Sequence, residues 1–214
     1  MFSEAYEELQ ILSKAQPDNV QIFIRMANIA FMMENYGAMA TACEKAILLD
    51  SENATAHYLY AEACKGQGDD VNTIAMATKA ISLDDKQGNA YLLRGETYLR
   101  TQQLSEAEAD ADWLLEHTED NEDVLLLKAR IEREANRNNE AIEYFTKAID
   151  ANPFSYNAFK ERSEMYSLIG NEAKAKEDAE RAEELKPTDG KENAEENIEK
   201  QLNDKYKQMN PYGF

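Results

Sequence analysis

The sequence predicts an all-α fold, a string of helix hairpins made from one repeated unit. Three observations predict it. The segment from Asn139 to Pro153, NEAIEYFTKAIDANP, returns in altered form every 34 residues with no insertion or deletion. Within the unit, small and apolar residues such as Ala141, Phe145 and Ala148 recur at spacings of four and three, the stripe of one helix face. Stop and start signals fall at the same place in each unit, as Pro17, Ser51, Asp85, Glu119, Pro153 and Pro187. A proline there ends a helix because it has no amide hydrogen for the ladder.

Numbering each unit so that Pro153 takes position 32 lets the columns be read physically. Position 20 holds Ala5, Met39, Thr73, Ala107, Ala141 and Ala175, and position 27 holds Leu12, Ala46, Ala80, Leu114, Ala148 and Ala182. Position 8 holds Ala27, Ala61, Gly95, Ala129 and Ser163. Such side chains let helix backbones approach closely, so these columns mark helix crossings. Position 4 is larger (Phe23, His57, Tyr91, Leu125, Phe159), and position 11 carries Ala30, Cys64, Tyr98, Glu132 and Tyr166. Position 34 is Asn19, Asn53, Gln87, Asn121, Ser155 and Asp189; all but the glutamine are good N-caps for the helix that follows. Gly68 and Gly170, both at position 15, suit the left-handed turn between two helices.

In order, the chain opens with a second-type helix over Ser3–Lys14. First-type (A) and second-type (B) helices then alternate: Asn19–Met33 with Tyr36–Leu49, Asn53–Lys65 with Asp70–Leu83, and Gln87–Arg100 with Leu104–His117. Asn121–Ala135 with Asn138–Ala151 and Ser155–Ile169 with Asn171–Leu185 complete the series. A final charged helix over Asp189–Met209, with Ala194, Ile198, Leu202 and Tyr206 on one narrow stripe, is expected to cap the array. The domain scheme is therefore 1–17 an incomplete first unit, 18–187 five full units, 188–209 the cap and 210–214 a tail. The opening helix either caps the array alone or follows an upstream partner, and the dependence of Leu9 and Leu12 on the next unit favours the partner.

These residues resemble the tetratricopeptide repeat family. Its pattern of W-x2-L-G-x2-Y, A-x3-F and P is nearest in the unit containing Phe159, Ser163, Tyr166, Ala175, Ala179, Ala182 and Pro187. No unit has tryptophan at position 4, only Gly95 is glycine at position 8, and three central units lack the proline. The resemblance implies a right-handed α-α superhelix, a solenoid with A helices lining a concave groove and B helices outside. It also implies a non-enzymatic protein-binding scaffold that needs no cofactor.

Composition narrows the partners. A formal charge of −19 argues against phosphate backbones and anionic lipid, so neither nucleic acid nor membrane insertion is expected. The most apolar stretch, Ala27–Met33 with Asn28 inside it, is too short to span a bilayer, and the acidic start MFSEAYEE is no export address. Cys43 and Cys64 fall in core columns and read as small buried hydrophobes, which favours a reducing, cytoplasmic setting. His57 and His117 have no partner spacing that makes a triad or metal set. The CKGQGDD turn lacks the Lys-Ser/Thr of a phosphate loop, and Asp69-Asp70 lacks the spacing of a calcium loop.

The groove remains. By the family's geometry, positions 2, 5, 6, 9, 12 and 13 of the A helices face it. Position 5 reads Ile24, Tyr58, Leu92, Leu126 and Lys160, an apolar stripe through four units that either packs between repeats or stays open to a partner. Arg25, Lys65, Arg100, Arg130, Arg133 and Lys160 on this side balance Glu62, Glu96, Asp123, Glu134, Glu161 and Glu164. With Asn28 beside them, these residues predict a groove for a protein partner's amphipathic helix or extended peptide, with its acid toward Arg130 and Arg133. The specialised clamp for acidic chaperone tails is not expected, since only Asn28 of its Lys, Asn and Arg set is present. The alternative is a self-associating element using the open first helix or the aromatic tail Met209–Phe214. Trp113, standing where other units carry Lys45, Lys79, Lys147 or Arg181, either shields a neighbouring stem or anchors a partner on the outer side.

Overall fold

The computed structural model describes residues 2–119 and 121–186. Eleven helices occupy the described residues: α1 Phe2–Ala15, α2 Val20–Met32, α3 Tyr36–Leu49, α4 Ala54–Gly66, α5 Asp70–Leu83 and α6 Gly88–Arg100. They continue as α7 Leu104–His117, α8 Glu122–Glu134, α9 Asn138–Ala151, α10 Tyr156–Leu168 and α11 Glu172–Leu185. Each helix lies where the periodicity predicts it, with ends differing by a residue or so. The expected capping helix and the tail lie outside the described residues. Among the described residues, no helix is long and apolar enough to cross a membrane.

The described residues form two compact units, one reaching to Thr97 and the other starting at Tyr98. In the first, α2–α3 and α4–α5 are hairpins, α1 packs on α2, and α3 lies against α4. Its core joins Ile22, Ala27, Ala30, Met39, Cys43 and Ala46 to Ala56, Leu59, Ala61, Ala77, Ala80 and Leu93. In the second, α8–α9 and α10–α11 are hairpins and α7 packs on α8. Its core gathers Leu125, Leu126, Ala129, Ala141, Phe145, Ala148, Ala158 and Met165. The columns of small residues do what their size suggests: positions 8, 20 and 27 of the full hairpins are buried except at Ser163, which is half-buried. Leu12 is the exception in its column, 38% exposed on α1, a helix that buries no residue.

One turn geometry closes every hairpin. The residue at position 15 is left-handed in all five full units, with φ of 55° at Glu34, 76° at Gly68, 62° at Gln102, 61° at Asn136 and 76° at Gly170. The next residue's amide then reaches back to the position 11 carbonyl: Asn35 to Ala30, Asp69 to Cys64, Gln103 to Tyr98, Arg137 to Glu132 and Asn171 to Tyr166, all at 2.8–2.9 Å. Position 16 also caps the B helix. Asn35, Asp69 and Asn171 accept amide bonds from the third residue on, while Gln103 and Arg137 make no such cap bond. The left-handed region is strained for a residue with a Cβ. Gln102→Gly should therefore raise stability by about 0.5–1 kcal/mol in urea unfolding, and Asn136→Gly by less, because asparagine tolerates this region. A loss of stability in both would remove the strain argument.

The B-to-A turns explain how units without the proline still stop. After α3, α5 and α9, the extended residues Asp50, Asp84 and Asn152 accept side-chain bonds from the amides of Glu52, Lys86 and Phe154 at 3.1–3.2 Å. Thr118 holds the end of α7 by donating its hydroxyl to the Leu114 carbonyl at 2.7 Å. Position 31 thus ends the helix whether or not position 32 is proline. The A helices α2, α4, α8 and α10 begin on side-chain caps from Asn19, Asn53, Asn121 and Ser155, as expected. Gly66 ends α4 with no Cβ because the Tyr36 ring occupies that space, 2.3 Å from where the atom would be.

Candidate functional site

The expected groove residues are divided between the two units. In the first, Ile24 and Tyr58 are core residues at 8% and 5% exposure, and Leu92 is half-buried. In the second, Leu126 is buried at 4%. The apolar residues of position 5 therefore do not make the open strip that their continuity predicts. They are consumed by packing, because helices separated only by alanine columns draw neighbouring side chains into the core. Apart from half-buried Leu92, the expected groove residues that stay accessible are polar.

In the first unit, Arg25 is exposed, Asn28 is half-buried, and Tyr58 donates its hydroxyl to Glu62 at 2.9 Å. Burial pushes the Glu62 carboxyl up, against the pull of Lys65. Burial and then Glu62 drive the Tyr58 hydroxyl well above its ordinary value. Lys65 pairs with Glu96 at 2.7 Å. Lys65 and Glu96 thus match each other's charge.

In the second unit, Arg130 and Arg133 stand one turn apart on α8, each about 30% exposed. Both grip the carboxylate of Glu161 on α10. Arg130 donates through Nε at 3.0 and 3.1 Å and through Nη2 at 2.6 Å, and Arg133 adds Nη1 at 2.9 Å. Arg133 also lies 3.5 Å from Glu134. Beside Glu161, Lys160 is exposed with its ammonium 5.9 Å from the Tyr156 ring centre. The sequence placed these cations together but did not show that an acid of the chain already sits between them.

A second charged network was missed. Lys128 on α8 is only 6% exposed yet bonds Asp112 at 2.6 Å and Glu108 at 3.2 Å on α7, with Glu132 3.3 Å away. Glu132, itself 4% exposed, is also paired with Arg137, which reaches Glu108 at 2.7 Å. Burial alone would lower the Lys128 ammonium, but Asp112 and Glu108 outweigh it and hold it above the ordinary lysine value. Burial likewise opposes the Glu132 carboxylate, yet Arg137 and Lys128 keep it below the usual range. Glu132 at position 11, where other units carry Ala30, Cys64, Tyr98 and Tyr166, was the available signal.

The remaining candidates take structural roles. His57 is buried with Nε2 3.1 Å from the Ser51 carbonyl, and His117 stacks on Trp113 at 4.4 Å between ring centres. Trp113 itself is half-buried. Cys43 and Cys64 are free and buried, and burial pushes the Cys43 thiol up to about 12. Among the described residues, no group of three His, Cys, Asp or Glu side chains is placed to hold a metal ion.

Comparison with known proteins agrees with this architecture. A family model described as tetratricopeptide repeat matches residues 92–156 and 126–189. None of the curated proteins matches the chain. Among solved structures, PilW, a widely conserved type IV pilus biogenesis factor, is similar with a TM-score of 0.77 at 18% identity, covering 84% of each chain. A tetratricopeptide repeat protein from Parabacteroides merdae ATCC 43184 gives 0.76 at 19% identity, covering 100% of this chain and 87% of its own. YrrB, a TPR protein with an unusual peptide-binding site, gives 0.67 at 19% identity over 86% of this chain and 95% of its own. At such identities the likeness speaks for the fold alone. The hairpin turn at position 15 recurs from Glu34 to Gly170, and the residues that the model matches, 92–189, belong to the tetratricopeptide repeat family.

Proposed function

We propose that the protein is a non-enzymatic scaffold whose A helices hold a peptide or helix of a partner protein, with the ligand's acid directed at Arg130 and Arg133. Repeats of this family are generally protein-binding modules, and the family is typically non-catalytic. The observation that carries the finer reading is the arginine pair. In a chain at −19, two guanidiniums stand one turn apart, a third exposed, in the bidentate geometry that suits a carboxylate. Lys160 adds a further positive charge next to them. Leu126, buried beneath them on α8, supports this surface.

The test is to select peptides from a random display library on the wild-type protein and then measure the best binder against Arg130→Glu/Arg133→Glu. Acid-rich selected peptides and at least a roughly tenfold loss of affinity are expected. The neutral variant Arg130→Gln/Arg133→Gln, which places no new acid beside Glu161, should also lose affinity while its melting temperature moves by only a few degrees, because partly exposed ion pairs contribute little to stability. Binders without acid, or an unchanged affinity, would remove this site from the proposal.

Self-association through α1 is the second reading, favoured by Ile11 at 69% and Leu12 at 38% exposure on a helix with no buried residue. Light scattering that finds a monomer at all concentrations would sink it.

A further inference from the structure

We propose that Glu161 is a built-in competitor, holding the arginine fork of α8 until an acidic ligand displaces it. The inference rests on the peptide-binding reading above and names its regulation. Positions 9 and 12 read Asn28 and Phe31, Glu62 and Lys65, Glu96 and Leu99, Arg130 and Arg133, Glu164 and Ser167. Only α8 offers arginine at both, and both arginines converge on one carboxylate.

The geometry is that of recognition. Glu161 accepts on both oxygens, from Nε and Nη2 of Arg130 and from Nη1 of Arg133, at 2.6–3.1 Å. Such a two-arginine fork is the arrangement proteins use for a foreign carboxylate. Glu161 is the inner partner, its side chain 13% exposed against 30% and 31% for the arginines, so the cations sit between it and solvent. A brace made of half-exposed arginines contributes little to folding. An arriving carboxylate that makes the same bonds therefore has little to overcome, provided Glu161 can turn away. The exchange swaps one carboxylate for another and needs no proton transfer. It sets a threshold: a single weak acid on a ligand loses to the tethered Glu161, while a run of acids prevails through number and proximity.

The experiment uses the full chain and a fluorescein-labelled peptide ending in six glutamates, titrated by anisotropy. Glu161→Gln keeps the side chain's size and frees the fork of its charge, and affinity should rise by roughly tenfold. Glu177→Gln, the same charge change at an exposed position of α11, should alter affinity less than about twofold. Glu161→Asp, which keeps the charge but shortens the arm, is the second variant and should tighten binding to an intermediate degree. Equal tightening in Glu161→Gln and Glu177→Gln would overturn the competitor in favour of general charge. Wild-type binding that Arg130→Glu/Arg133→Glu abolishes but Glu161→Gln leaves unchanged would overturn the competitor while sparing the groove. Binding by neither wild type nor Glu161→Gln would overturn both.

Discussion

Lys128→Ala is expected to cost about 3–5 kcal/mol in denaturant unfolding, far more than removal of any exposed lysine of this chain. The reason is what the ammonium leaves behind. Lys128 is 6% exposed and bonds Asp112 and Glu108 of α7, with the 4% exposed Glu132 one turn along its own helix. Without it, three carboxylates face one another across the α7–α8 contact, and Arg137 alone remains for Glu132 and Glu108. A buried carboxylate stripped of a partner bears a large desolvation cost. The double variant Lys128→Met/Glu132→Leu removes both buried charges and should recover most of the loss. A cost under about 1 kcal/mol for Lys128→Ala would mean that the network behaves as an ordinary surface cluster.

Phe145→Ala should cost about 3–5 kcal/mol, although it installs the residue most common at its position. Position 24 holds Cys43, Ala77 and Ala111 in other units, each fully buried. Phe145 is the largest fully sealed side chain among the described residues, in a core with Leu125, Leu126, Ala141, Ala148 and Met165. The helices around it are spaced for a ring, and close-packed neighbours relax only partly into the hole that alanine leaves. Averaging over the repeat would instead predict a neutral change. Urea unfolding distinguishes the two, and a change below about 1 kcal/mol would show that the hairpin collapses to the spacing of its neighbours.

How much of this was legible in the sequence depends on whether a feature was local or shared. Helix positions were legible because a 34-residue register with no slip leaves no freedom: α3, α5, α7 and α9 have the ends expected for them. The caps at Asn19, Asn53, Asn121 and Ser155 are local chemistry and were equally plain. The left-handed turn was read from Gly68 and Gly170, but Glu34, Gln102 and Asn136 adopt it too, driven by the hairpin rather than by their own preference. Packing was harder. Ile24, Tyr58 and Leu126 looked like a surface stripe because burial by a neighbouring hairpin leaves no mark on a helix's own periodicity. Lys128 and Glu132, four residues apart, carry no mark of burial in the sequence beyond the apolar company of Glu132 in its column. The arginine pair was visible, but its occupation by Glu161, 28 and 31 residues away, was not.

The central claim is that binding resides in polar side chains on α8 and α10 that the fold can spare. The most direct measurement is a calorimetric titration of Arg130→Gln/Arg133→Gln with a library-selected acidic peptide, alongside its melting curve. The account predicts lost affinity with the melting transition nearly in place. Full affinity in a protein that melts normally would contradict it.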